Sequence, residues 1–403
     1  MITPRQALRH LSAIGLTACA GLLALAQSAW CAPPPELSAW FRYSSDVTTA
    51  WRISETPGDS LKAVVRRNGD QGSHRLRRVL VLYPRPSTAY DIAITKILHV
   101  FESKEINAEI TVANFDMDDR LGVEALRLAE DGKYELIFAM GSESTAWLYD
   151  RYRGGAIPVV SVCSKDPVQL GQMIDYEHGS GENFAFTSLN MLIDVQMAYV
   201  RQLRPDLRNL TVLVDSKNVS AVQTQAEPVA KYARQRGIQV IWGAVKDPNN
   251  AKHELAEIVS DAVRTMRKND SDLSKSLFWI TGSTSVFGEI QTINENADRV
   301  PVISVVPEVV REGADTAVLA IGISFESNAH LAAVYGAQIL AGGMRAGDLK
   351  VGIVSPPDIA VSFLKAREIG LRVPFSFFES ASFVYDYDGR LVRTIASKIS
   401  SDN

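Results

Sequence analysis

A chain of 403 residues with 46% hydrophobic and 22% charged side chains is composed like a globular protein of two or three domains, which excludes a fibrous or disordered one. A formal charge of −4 provides no basic field for a phosphate backbone and excludes nucleic acid as a partner. Six scattered histidines and three cysteines show no metal-ligand spacing, so neither a metal nor another cofactor is expected.

Met1 to His10 carries Arg5 and Arg9 and no acid, and Leu11 to Ala26 is apolar. This predicts an export signal over 1–29, with cleavage points at Ala26, Ser28 and Ala29 and the periplasm as destination. The apolar run is too short for a membrane span. Two alternatives stand beside removal. Leu16-Thr-Ala-Cys19 resembles the lipobox of bacterial lipoproteins, which would leave the chain lipid-anchored at Cys19, and an uncleaved anchor is the other. Cys31 and Cys163 are too far apart in sequence to imply a disulfide framework, and Cys163 reads as a small buried side chain at a strand end.

Residues 30–75 read as a loosely structured lead-in, with turn signals at Pro33 to Pro35, Glu55 to Asp59 and Arg67 to Ser73. Trp40, Phe41, Tyr43 and Trp51 are expected to cover the main domain's own surface. The folded body opens at Arg78. Val79 to Tyr83 suits a strand buried on both faces, and Tyr90 to Lys104 has helical spacing with Ser87 or Thr88 as its cap. Ala108 to Val112 is the next strand and Asp118 to Glu130 the next helix. Leu136 to Met140 then reads as a strand and Gly141 as a sharp turn. Ser142, Ser144 or Thr145 caps a helix through Trp147 to Tyr152, and Ile157 to Val162 is a further strand. Pro167 imposes an extended or turn conformation at Asp166. Alternating strands and helices predict a parallel, doubly wound sheet.

An amphipathic helix, Leu189 to Arg204, leads into a second series of the same kind. It holds the strand Leu210 to Val214, the turn Asp215 to Ser220, a helix to Gln235, the strand Ile238 to Trp242 and the helix Ala251 to Met266. The unit around Gly141 then repeats. Leu277 to Ile280 is followed by Thr281-Gly-Ser-Thr-Ser285, a helical segment from Val286 to about Asn296, and Val300-Pro-Val-Ile-Ser-Val305. Two such units predict an α/β protein of two similar lobes whose strand ends face each other across a cleft able to hold a small molecule.

Ile157-Pro-Val-Val-Ser-Val-Cys-Ser-Lys-Asp-Pro167, Leu213 to Ser220, Ala320-Ile-Gly-Ile323 and Val354 to Leu371 resemble, in order and spacing, the substrate-binding proteins of bacterial ABC transporters. The resemblance is to the periplasmic binding protein type I group that includes tryptophan- and tyrosine-type binders, and it runs from about Leu76 to Asp386. It implies two doubly wound parallel-sheet lobes joined by a three-crossing hinge, with crossings near Ser188, Gly322 and Lys350. Lobe 1 would be 76–188 with 322–350, lobe 2 189–321 with 351–388, and 389–403 a C-terminal tail. Ser324 stands where the family often has an acid.

Backbone N–H groups and hydroxyls at the helix starts Ser87-Thr88, Gly141-Ser142 with Ser144 and Thr145, Ser220, and Gly282-Ser283-Thr284 favour a carboxylate or zwitterion. Tyr90 and Phe325 are candidates to pack on its apolar part, as is Tyr83. Asp166, Asp215 and Asn218 complete the candidate ligand-binding set, although turn formation also explains them. Arg85 and Lys165, at strand exits, have two readings, a partner for an acidic group of the ligand and, the commoner case, a solvated loop charge. No G-x-S-x-G elbow, P-loop, G-x-G-x-x-G or H-E-x-x-H occurs, so no enzyme is expected. The resemblance implies a monomer that hands a small ligand to an ABC permease in the inner membrane. The alternative is a sensor that presents ligand occupancy to a membrane signalling protein.

Overall fold

Apolar runs buried on both faces form the centres of two separate sheets. The computed structural model describes residues 36–38, 40–56, 58–69 and 75–394, so the export signal, Cys19 and Cys31 lie outside the described residues. The first sheet contains β1 (Trp51–Thr56), β2 (Asp59–Arg67), β3 (Arg77–Tyr83), β4 (Ala108–Asn114), β5 (Leu136–Met140), β6 (Val159–Val162) and β7 (Phe184–Ala185). Its seven strands run in the order β1-β2-β4-β3-β5-β6-β7. From β4 to β7 all pairings are parallel. Alternate side chains of β3 serve opposite faces: Val79 and Val81 pack with Ile94, Ile97 and Phe101, while Leu80 and Leu82 pack with Ala125, Trp147 and Leu148.

The second sheet contains β8 (Asn209–Asp215), β9 (Gln239–Val245), β10 (Ser276–Ile280), β11 (Val302–Ser304), β12 (Leu319–Gly322), β13 (Asp358–Ser362), β14 (Phe383–Tyr385) and β15 (Leu391–Arg393). The eight strands run β9-β8-β10-β11-β12-β13-β14-β15. It is parallel from β9 to β12, whereas β13 pairs antiparallel with β12 because the chain re-enters this lobe from the other side after its last crossing. At the crossings a short parallel pair, Thr187–Ser188 with Gly352–Ile353, ties two of the connecting segments together.

The lead-in differs from expectation. Its turn-rich stretches bracket a hairpin, β1 with β2, and β2 adds antiparallel to β4 at the edge of the first sheet. Phe41 and Val47 are fully buried and Trp51 nearly so. Trp40 and Phe41 pack edge-on against Tyr83 of β3, with ring centroids 5.6 and 6.2 Å away. Turn residues in the sequence marked the loops of the hairpin; the aromatic residues between them supply core, not surface cover.

Candidate ligand-binding site

Each lobe's parallel strands end on the side from which the chain crosses to the other lobe, the position where open α/β sheets leave a crevice for ligands. Gly141 follows β5 in the first sheet and Gly282 follows β10 in the second, so the two repeated turns belong to different lobes. Gly141 has φ +73°, and a Cβ there would lie 2.0 Å from the Tyr90 hydroxyl oxygen; backbone and neighbour both require glycine. Tyr90 is buried edge-on to Tyr83, whose hydroxyl donates to the Tyr90 carbonyl at 3.1 Å.

The hydroxyls at these turns have specific partners. Met140, not Ser142, Ser144 or Thr145, occupies the N-cap of the helix Gly141–Tyr152, without a side-chain cap bond. Ser144 and Thr145 are fully buried and donate to the carbonyls of Leu82 and Gly141, so a glycine-opened turn has replaced side-chain capping. Ser142 Oγ accepts from Lys165 N at 2.9 Å. Ser87 caps the helix Thr88–Ser103 by accepting from Ala89 N, and Thr88 is exposed.

In the second lobe the segment expected from Val286 to Asn296 divides into Thr284–Phe287 and Ile290–Asn296, with the break at Glu289, whose backbone leaves the helical region at φ −95° and ψ 29°. Ser283 is buried against the Thr281 hydroxyl at 3.2 Å, and Thr284 is exposed. Asp215 accepts from Lys217 N and Ser285 Oγ. Asn218 accepts from Ser220 Oγ and Ala221 N. Asp166 accepts from Val168 N, Gln169 N and the Tyr176 hydroxyl, the last at 2.6 Å. All three turn residues therefore have local partners.

The lobes meet through residues that the sequence left in the background. Lys165 follows β6 and is only 6% exposed. Its ammonium crosses to the second lobe, 3.4 Å from the Gly282 carbonyl, and makes no ion pair among the described residues. Burial pushes its pKa down from 10.5 to about 8. Of the two readings of Lys165, the solvated loop charge is excluded by this burial. Gln225 Oε1 accepts from Gly282 N at 2.7 Å. Gln225 lies in a π-helical turn, Val222–Ala226, a distortion common at functional sites and without a sequence signature. Phe325 of the first lobe's long helix, Phe325–Leu340, faces Phe287 of the second with centroids 6.5 Å apart. Glu308, just after β11, accepts from Phe325 N at 2.6 Å; burial pushes its carboxyl up to about 8.

Cys163, two residues before Lys165, has φ +53°. Its N–H donates to Asn328 Oδ1 at 2.7 Å, and both Glu308 and Lys165 act electrostatically on its buried thiol, which burial holds well above the usual range. A buried thiol with a raised pKa is an inert packing group. Two concavities lie away from these charges. A groove of about 820 Å³ beside Tyr232 and Trp242 is walled by solvated Lys231, Arg234 and Gln235, and another of about 490 Å³ lies beneath Tyr149 and His178. Buried charges brought together from both lobes are the stronger indicator. Among the described residues no group of His, Cys, Asp and Glu is placed to hold a metal, and no helix is long and apolar enough to cross a membrane.

Solved structures share this architecture. A conserved domain protein from Vibrio cholerae O1 biovar El Tor is 16% identical, covering 77% of this chain and 100% of its own, with a TM-score of 0.62. An ABC domain from Streptococcus pneumonia in complex with L-Trp is 15% identical over 77% of this chain and 100% of its own, at 0.60. A ligand-free, open substrate binding protein with adhesive properties from Clostridium difficile is 19% identical over 79% and 99%, at 0.57. At these identities the likeness is one of fold. No curated protein matches the sequence. Residues 94–384 match the family described as ABC transporter substrate binding protein, a span that takes in strands of both sheets and Lys165, Gln225, Gly282, Glu308 and Phe325. The chain belongs to that family of two-lobed, extracytoplasmic binding proteins.

Proposed function

We propose that this protein captures a small ligand bearing a carboxylate or similar anionic group between its lobes and delivers it to an ABC permease. Lys165 supports this most directly: a buried ammonium that reaches across to Gly282, makes no ion pair among the described residues and feels the Glu143 carboxylate only at longer range is costly until an anion joins it. The ligand-free lobes hold this charge poorly, and an anion that contacts Lys165 and the second lobe together stabilises closure. A ligand shifts the open–closed balance only by such preference for the closed state. Arg85 does not compete for the role, because Glu143 pairs with it at 2.7 Å.

Export fits delivery from the periplasm, with Arg5, Arg9 and the apolar Leu11 to Ala26 as the address. Calorimetry with a panel of small carboxylates tests the binding step. At least one carboxylate is expected to bind the wild type, and Lys165→Gln to weaken it by about ten-fold or more, the scale of one charged hydrogen bond. Undiminished binding by the variant would remove Lys165 from the site.

A further inference from the structure

The helical segment that follows β8 is interrupted by its own sequence. In a regular α-helix the Thr224 carbonyl would receive the N–H of residue 228. That residue is Pro228, which has no N–H and whose ring crowds the carbonyl four residues back. The chain here takes up the π-helical turn Val222–Ala226, in which Glu227 N reaches back five residues to the Val222 carbonyl. A proline announces a carbonyl without a helical donor; it announces neither the π geometry nor the donor that takes the missing one's place.

That donor comes from outside the helix. Asn190 Nδ2 donates to the Thr224 carbonyl at 2.7 Å, while Asn190 Oδ1 accepts from Asp166 N at 3.2 Å. Asn190 is buried and stands two residues after Ser188, a member of the parallel pair at the crossings, whose Oγ accepts from Asn190 N at 3.0 Å. One amide side chain thus spans the lobes: its oxygen holds the loop after β6, which carries Lys165, and its nitrogen holds the turn that carries Gln225. Both held segments converge again on Gly282, where Lys165 Nζ approaches the carbonyl and Gln225 Oε1 accepts from the N–H. A buried amide bonded at both ends is rigid, and at a crossing it fixes the angle between the lobes.

We propose that Asn190 is the latch of the hinge: its bond to Thr224 forms as the lobes close and breaks as they part, and it keeps a closed form populated before any ligand arrives. The bond to Asp166 is kept in both forms, because Ser188 ties Asn190 to the crossing strand. Pro228 is part of the device, since it stops the helix from satisfying the Thr224 carbonyl internally. Asn190 is a positioning residue: it acts on capture through Lys165 and Gly282, by setting how much of the protein is already closed. The device belongs to the ligand-free protein and stands whatever Lys165 binds.

Small-angle X-ray scattering on the ligand-free, full mature chain tests the latch, with urea unfolding alongside to separate stability from closure. Wild type is expected to scatter as a mixture of open and closed forms. Asn190→Asp keeps the size of the side chain and an oxygen to accept from Asp166 N, but has no N–H for Thr224. It should raise the open-to-closed ratio about three-fold or more, the scale of one neutral hydrogen bond. Pro228→Ala leaves Asn190 untouched and returns to the helix a backbone N–H that competes for the Thr224 carbonyl. It should raise the same ratio without lowering the urea midpoint, a result that a merely structural role for Asn190 does not produce. Three results overturn the proposal: a wild type that is wholly open, a folded Asn190→Asp with the wild-type ratio, or Pro228→Ala with that ratio. Where Asn190→Asp fails to fold, Pro228→Ala decides alone.

Discussion

The Lys165 ammonium of the first lobe lies 3.4 Å from the carbonyl oxygen of Gly282 in the second and makes no ion pair among the described residues, with Glu143 acting on it only at longer range. Replacing this lysine with methionine keeps the length of the side chain and removes the buried charge. The ligand-free Lys165→Met protein is expected to melt higher at neutral pH, by the equivalent of about 1 kcal/mol or more, while losing carboxylate binding. Thermal melts with and without a bound carboxylate check both halves. A lower melting temperature would mean that Lys165 is stabilised by surroundings other than those seen.

The two cleft glycines respond differently to a methyl group. At Gly141 the left-handed backbone and the Tyr90 hydroxyl, 2.0 Å from the added Cβ, both oppose alanine, so Gly141→Ala should destabilise the fold by at least about 1 kcal/mol. At Gly282 the nearest atom to an added Cβ is Lys165 Nζ at 2.4 Å, the free end of a flexible side chain. Gly282→Ala should therefore fold normally and displace Lys165, so that calorimetry records weakened anion binding with an unchanged denaturant midpoint.

Stability should change with pH in two separate windows. Burial raises the Glu308 carboxyl from 4.5 to about 8, so the folded state keeps a proton that the unfolded chain releases. Its contribution is complete below about 4.5 and is lost as pH rises through about 8. Lys165, lowered from 10.5 to about 8, runs the other way: its contribution is complete above 10.5 and is lost as pH falls through about 8. Melts of Glu308→Gln beside wild type, across about pH 5 to 8, should show a shallower decline in the variant. Parallel curves would show that Glu308 ionises normally in the folded protein.

The aromatic lead-in is expected to be part of the first lobe energetically. Phe41 is fully buried against Trp40, Tyr43 and Tyr83, and Phe41→Ala should cost about 3–5 kcal/mol. Urea unfolding checks this. A loss below about 1 kcal/mol would mean that the segment merely rests on the lobe.

Much of the architecture was determined by local sequence. Apolar runs such as Val79 to Tyr83 and Leu136 to Met140 bury both faces in any context, and Gly141, forced to positive φ, permits the same turn wherever that strand ends. The repeat of this unit around Gly282 declared two lobes before any contact was known, because a repeated local pattern needs no long-range information.

The partners of polar side chains were decided by tertiary structure. Ser142, Ser144 and Thr145 look alike as helix-start hydroxyls, yet one receives Lys165 N and two turn inward to Leu82 and Gly141. Lys165 follows a strand as many solvated lysines do, and only closure of the second lobe over it makes its charge unusual. Glu308 gains meaning only from the first turn of a helix seventeen residues later in the chain, and Gln225 from a π-turn that no spacing announces. Periodicity records which face of an element is buried, whereas the burial of a particular charge depends on which distant element covers it, and that information exists only once the lobes are folded together.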